Sequence, residues 1–302
     1  MNSLINPDGI HLTVPIKYHN SILERFSFFD EIDSRTGEFN ISKYGNTISR
    51  ATSRDIKFHF VKSQYASNHL HVHTSLPKFH KGNNYTNLSR IEYQGAIRDL
   101  SNHLGVPLYD LDIRSFEFGC NVKLEHLKAD DILNSIVACK KRIPDRNTFK
   151  GKGIQILFPH QEFTFKIYNK GKQMQLPTEI IRVELIIHKM LFAKKHLDLQ
   201  NLNHLQTAKS QQLMENMIKN KINDLIFVDP RLHELRQFIP DQSQIIHKYG
   251  NPNFWVGLKA NMRQKHKLIL NSLNEKLPFN AKDELIKPLN TVKQNQFFLS
   301  RK

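Results

Sequence analysis

Ile181-Arg182-Val183-Glu184-Leu185-Ile186-Ile187-His188 alternates between apolar and charged residues over most of its length. Successive side chains of a strand point to opposite faces, so Ile181, Val183, Leu185 and Ile187 share one face and Arg182, Glu184 and His188 the other. Three further stretches read the same way. In residues 163–170, Phe163, Phe165 and Ile167 oppose Lys166, Tyr168 and Lys170. In residues 113–122, Phe116, Phe118, Cys120 and Val122 oppose Glu117 and Asn121. In His69-Leu70-His71-Val72-His73 the three imidazoles share a face. Together these strands predict a sheet with one buried face and one face carrying histidines, two carboxylates, a tyrosine and several cations. That is the layout of a divalent-metal phosphodiesterase site.

The chain has 302 residues, with 44 Lys and Arg against 28 Asp and Glu, a formal charge of +16. An excess of that size favours a polyanionic partner, because each neutralised phosphate releases condensed counterions. The bland alternative is that the basic charge is compositional. At 39% hydrophobic residues the chain can build a substantial core, expected as one α+β domain with a smaller unit. Cys120 falls on an apolar strand face and Cys139 in an expected helix, so both read as buried thiols suited to a reducing cytosol. No apolar run approaches the roughly 20 residues that span a bilayer. Met1-Asn2-Ser3-Leu4-Ile5-Asn6 does not open a signal peptide, and the expectation is a soluble protein of the bacterial cytoplasm.

Working outward, Ile10, Leu12, Val14 and Ile16 alternate, and Pro15 suggests that their strand lies at an edge. Arg35-Thr36-Gly37-Glu38 reads as a hairpin turn, and residues 55–62 and 69–79 as an antiparallel pair. Ser89-Arg90-Ile91-Glu92 has capping-box spacing, with Tyr93, Ala96, Ile97, Leu100 and Leu104 at helical spacing and Gly105 and Pro107 at the end. Tyr93 lies on that apolar stripe and reads as core. A second helix is expected over 130–141, then strands over 154–158, 163–170 and 180–188 with antiparallel pairing. The composition shifts near residue 205. Residues 206–302 lack alternation and hold 16 Lys and Arg against 8 Asp and Glu, a net of +8. The expected organisation is residues 1–205 as an antiparallel sheet flanked by helices and residues 206–302 as a basic helical domain.

Attack on a phosphodiester requires the phosphate charge to be offset, and Mg²⁺ or Mn²⁺ supplies this. His71 and His73 can reach one ion together, and Glu117 and Glu184 on other strands can complete its shell. Each has a structural alternative: a hydrogen-bonded imidazole face for the histidines, and a salt bridge to Arg182 for Glu184. Tyr168, with Lys166 and Lys170 on its own face, is the candidate nucleophile, and the same lysines can hold a phosphate. Its alternative is a half-buried strand tyrosine. Toward the C-terminus, Trp255, Leu258, Met262, Ile269 and Leu273 form an expected core stripe. Lys259, Arg263, His266 and Lys267 gather on another side, either solvated or touching a DNA backbone.

Phe116-Glu117-Phe118-Gly119-Cys120-Asn121-Val122, Tyr168-Asn169-Lys170-Gly171-Lys172 and Ile181-Arg182-Val183-Glu184-Leu185 resemble, in order, the acidic, Tyr-x-Lys-Gly and Arg-x-Glu-Leu motifs of rolling-circle replication initiators. The branch is the gene II type of filamentous phages and related plasmid initiators. Lys81-Gly82-Asn83-Asn84 is similar to the same group, and His71-Val72-His73 matches the His-hydrophobe-His motif of the wider nuclease superfamily. The resemblance covers residues 55–205. It implies an antiparallel sheet flanked by helices, a divalent metal held by His71, His73, Glu117 and Glu184, and a tyrosine that nicks and joins single-stranded origin DNA, leaving a 5′-phosphotyrosine and a 3′-OH primer. Lys166, Lys172 and Arg182 would contact that DNA, and host replication proteins would be further partners. One departure stands out. Relatives carry the nucleophile before the Tyr-x-Lys-Gly strand, where this chain reads Gly153-Ile154-Gln155-Ile156-Leu157-Phe158. Either Tyr168 or Tyr85 serves, or nicking has been lost. The alternatives are a DNA- or RNA-binding protein without chemistry on the same fold, and a metal-dependent nuclease that uses water.

Overall fold

The computed structural model describes residues 5–32, 39, 41, 45–148, 153–232 and 243–289. In chain order come β1 (Asn6–Val14), α1 (His19–Arg25), β2 (Phe29–Asp30), β3 (Thr47–Ser53), β4 (Ile56–Lys62), β5 (His69–Ser75), α2 (Leu76–Lys81), α3 (Arg90–Leu104) and β6 (Asp112–Lys123). Then follow α4 (Ala129–Ser135), β7 (Ile136–Cys139), β8 (Asp145–Thr148), β9 (Ile154–Pro159), β10 (Phe163–Asn169), α5 (Lys170–Gln173) and β11 (Ile180–Ile187). The rest is α6 (Met190–Leu197), α7 (Ala208–Asp224), β12 (Leu225–Phe227), α8 (Ser243–Gly250), α9 (Pro252–Gly257) and α10 (Ala260–Asn274). The fold is α+β, an antiparallel sheet flanked by helices and followed by further helices. No helix among the described residues is long and apolar enough to cross a membrane.

The chain forms two compact units, each built from two segments: Met1–Gly119 with Ile186–Met214, and Cys120–Leu185 with Glu215–Lys302. Residues 206–302 thus contribute to both. Strands β6 and β11 are each divided between the units.

In the first unit the strands run in the order β2-β3-β4-β5-β1-β6. The register pairs His11 with His73 and Thr13 with His71 across β1 and β5, and His59 with His71 and Lys57 with His73 across β4 and β5. Leu12, Val14, Phe58, Leu70 and Val72 are buried, so alternation places the histidines together on the opposite face. Helix α3 forms where expected. Ser89 accepts from the Glu92 N–H, Glu92 accepts from the Ser89 N–H, and Gly105 closes the helix at φ 67°. Such a cap stabilises a helix by about 1 kcal/mol. Tyr93 is fully buried.

In the second unit β11, β10, β9 and β8 follow one another, and β7 and β12 form a separate antiparallel pair. Its helices bury Trp255, Leu270, Leu273 and Leu277 with Ile226, Ile246 and Tyr249.

Several expectations are corrected. Strand β1 lies between β5 and β6, not at an edge; Pro15 sits just beyond it, and Pro7 adjoins a shift in register, a position at which strands tolerate proline. The helix expected over 130–141 stops at Ser135, and Ile136–Cys139 extends as β7, placing the buried Cys139 on a strand. The stripe from Trp255 to Leu273 is interrupted, since α9 ends at Gly257 and α10 restarts at Ala260. Met262 and Ile269 are consequently exposed, and Leu270 takes the core position. Strands β3 and β8 have too few apolar residues to show alternation. The expected turn at 35–38 lies outside the described residues.

Candidate functional site

The polar face of the first unit is built by three adjacent strands. From β1 comes His11, from β5 His71 and His73, and from β4 His59. The His11 and His73 rings stack with centroids 4.0 Å apart, His59 lies 5.0 Å from His73, and His11 Nε2 is 3.1 Å from His71 Nδ1. A cavity of about 310 Å³ lies against this face, lined by His11 and His73, by the cations Lys57 and Lys78, and by Gly9 and Glu117. Gly9 leaves room for that carboxylate: a Cβ at its position would stand 2.9 Å from Glu117 Oε1. Arg114, at the β1–β6 irregularity, donates through Nε to Thr13 Oγ1 at 2.7 Å.

Four imidazoles and their neighbouring cations disfavour additional positive charge. Burial, then His73, His71, Arg114 and His59, pull His11 down to about 4. Burial, then His59 and Lys57, lower His73; burial, then His69, His73 and Arg114, lower His71; burial and Arg50 lower His59. At neutral pH all four are neutral, the protonation state that a metal requires of an imidazole. The chemistry of the donor set, neutral imidazoles beside a carboxylate, therefore fits a divalent transition ion such as Mn²⁺ better than an oxygen-only cage for Mg²⁺. Among the described residues, no group of three or more His, Cys, Asp or Glu side chains is already arranged around one point.

Most of the other expected site residues lie in the second unit. Glu184 is 1% exposed; Arg182 donates through Nε to its Oε2 at 2.6 Å, and Lys166 Nζ is 2.7 Å from its Oε1. Burial opposes the charge on Glu184, but Arg182 and then Lys166 outweigh it and hold the carboxyl below its ordinary value. Arg182 also donates to Asn121 Oδ1 at 3.2 Å. Tyr168 is 4% exposed, with Lys166 Nζ 4.5 Å and Lys170 Nζ 5.8 Å from its ring centroid, so both cations address the ring. Lys170 is buried at the start of α5, while Lys172 reaches Asp130 and is exposed. Tyr85 stands in the loop between α2 and α3 of the first unit.

On α10, Lys259 is exposed, Arg263 donates to the Trp255 and Leu258 carbonyls, and Lys267 donates to the Asn223 carbonyl. Sequence reasoning missed His11, His59, Lys57 and Arg114. The alternation of His11 with Ile10 and Leu12 was visible, but the register bringing it against His73 was not.

No family model and no curated protein matches this chain. Among solved structures, the chain is similar to a rolling circle replication initiator protein from Geobacillus stearothermophilus. The TM-score is 0.42 and the identity 12%, over 87% of this chain and 97% of that one. At that TM-score the likeness decides nothing about function.

Proposed function

We propose that this protein initiates rolling-circle replication by nicking and joining single-stranded DNA at a phage or plasmid origin. The observation that carries the reading is the face of neutral imidazoles, His11, His59, His71 and His73, beside Glu117 and rimmed by Lys57 and Lys78. Such a face joins imidazole nitrogen donors to cations placed for a phosphate. His71 and His73 would hold a divalent ion, with Glu117 beside them, and the ion would offset phosphate charge. In the reaction a tyrosine hydroxyl would give up its proton as its oxygen bonds to phosphorus, the P–O3′ bond would break, and the leaving 3′ oxygen would take up one proton, so that the step balances. Energy is conserved in the phosphotyrosine, so the same bond can be re-formed on joining.

Tyr168 is the nucleophile expected from its motif, and Tyr85 is its competitor. A second reading, binding without chemistry, is favoured by one observation, the burial of Tyr168 beneath Lys166. The test is incubation of the full chain with labelled single-stranded DNA and Mn²⁺, followed by denaturing gels. A protein–DNA adduct lost in Tyr168→Phe supports the assignment. Loss in Tyr85→Phe alone moves the nucleophile to the first unit. Binding with neither adduct nor cleaved strand from any form leaves the non-catalytic reading in possession.

A further inference from the structure

A second cavity, of about 380 Å³, lies within the second unit. One wall is α10, where Ala260, Arg263, Gln264 and Lys267 recur at positions i, i+3, i+4 and i+7 and so form a single stripe. Lys140, which follows β7, and Asp224, at the end of α7, complete the polar lining. Lys140 Nζ stands 2.9 Å from the Asp224 carboxylate, and its N–H donates to the Asp224 carbonyl at 3.2 Å, so that carboxylate is already engaged.

The other two cations are held differently. Arg263 donates Nε to the Trp255 carbonyl at 3.2 Å and Nη2 to the Leu258 carbonyl, and Lys267 donates to the Asn223 carbonyl. These acceptors orient the cations without neutralising them. Burial, and then Lys282, press the Lys267 ammonium down to about 8, with Asp224 in partial opposition. Half-buried cations crowded beyond what nearby carboxylates balance are costly, and an anion relieves that cost. The opening turn of α10 lends its positive end to the same wall, and Lys259 at the N-cap provides no side-chain cap.

We propose that this cavity binds a phosphate group, with room for the sugar of one nucleotide, carried either by a DNA strand or by a free nucleotide. Its volume falls in the range of small-ligand sites, and a guanidinium paired with an ammonium is a recurrent phosphate-binding set. The proposal concerns the second unit alone and does not depend on the histidine face, so its test needs neither metal nor nicking.

Calorimetric titration of the full chain with thymidine 5′-monophosphate, and separately with a short oligothymidylate, tests it. One of these probes binds the wild type, and Lys267→Gln weakens that binding about tenfold or more. Lys267→Arg restores it, and Lys265→Gln, which removes the same charge from α10 outside the cavity, leaves it unchanged. Binding of the monophosphate identifies a free-nucleotide site; binding of the oligonucleotide alone identifies a strand contact. Melting curves establish that each variant is folded, and Lys140→Gln carries the comparison if Lys267→Gln is not. The proposal is overturned if neither probe binds, if folded Lys267→Gln binds like wild type, or if Lys265→Gln weakens binding as much as Lys267→Gln.

Discussion

The two polar faces foretold by the same strand alternation are chemical opposites. In the first unit, the His73 ring lies 4.0 Å from that of His11 and 5.0 Å from that of His59, centroid to centroid, and burial with neighbouring positive charge disfavours the protonated form of all three. In the second, Glu184 is buried between Arg182 and Lys166. Neutral donors on a half-buried face can accept an ion and a phosphate. A carboxylate already paired with two cations has its charge satisfied from within. Alternation therefore identifies which residues share a face, while burial and pairing decide whether that face is open to chemistry.

The largest expected effect tests the closed face. Glu184→Ala leaves Arg182 and Lys166 without their counterion in a buried setting, and removing one partner of such a group costs about 3–5 kcal/mol. Urea unfolding should show that loss. A cost below about 1 kcal/mol would mean that Glu184 is not the internal counterion and remains available as a ligand.

Acid should act on the same cluster. The Glu184 carboxyl is held below its ordinary value of 4.5, so the folded state binds the proton less readily than the unfolded state. The stability this contributes is present above the unfolded value and is lost as pH falls through the lower folded one. The stability of the wild type, measured by unfolding from pH 6 downward, should therefore fall more steeply below about 4.5. Glu184→Gln should lack that component; an identical acid limb in both proteins would remove Glu184 as its source.

How much of this was legible follows from the range of the interactions. Helix α3 was readable to its ends because Ser89, Glu92 and Gly105 act within a few residues of one another. Strands β4, β5, β6, β10 and β11 were readable because each keeps apolar residues at alternate positions, on one face. Strand β3 was not, since Ser49 is as buried as Ala51 and the alternation is not one of hydrophobicity. Strand β7 mimicked a helix because Ile132, Leu133, Ile136 and Val137 recur at helical spacing, and its partner β12 lies far along the chain. The candidate site shows the same limit. Arg182 beside Glu184 was visible, but Lys166 against Glu184 and His11 against His73 depend on pairing that local sequence does not encode.

The open face should respond in the reverse sense, with little change in stability and a large change in chemistry. His73→Gln removes a half-buried imidazole without stranding a charge, so unfolding should shift by about 1 kcal/mol or less. If the proposed function holds, adduct formation in Mn²⁺ falls by two or more orders of magnitude while DNA binding at low salt persists. A stability loss as large as that of Glu184→Ala would make the imidazole row a structural core, and the contrast between the faces would collapse.

The smallest expected effect on stability comes from Gly9→Ala. The new Cβ would stand 2.9 Å from Glu117 Oε1 and 3.0 Å from its Cδ, closer than non-bonded atoms tolerate. The atoms in the way belong to the end of a flexible side chain, so Glu117 can swing aside, and the cost should stay within about 1 kcal/mol. Its carboxylate then leaves its place beside His11 and His73 in the cavity. Adduct yield at limiting Mn²⁺ should fall, and excess Mn²⁺ should restore it in part, because a weakened site is refilled by mass action. An unchanged Mn²⁺ dependence in a variant that melts like wild type would show that Glu117 takes no part in holding the ion, and the open face would then rest on its imidazoles alone.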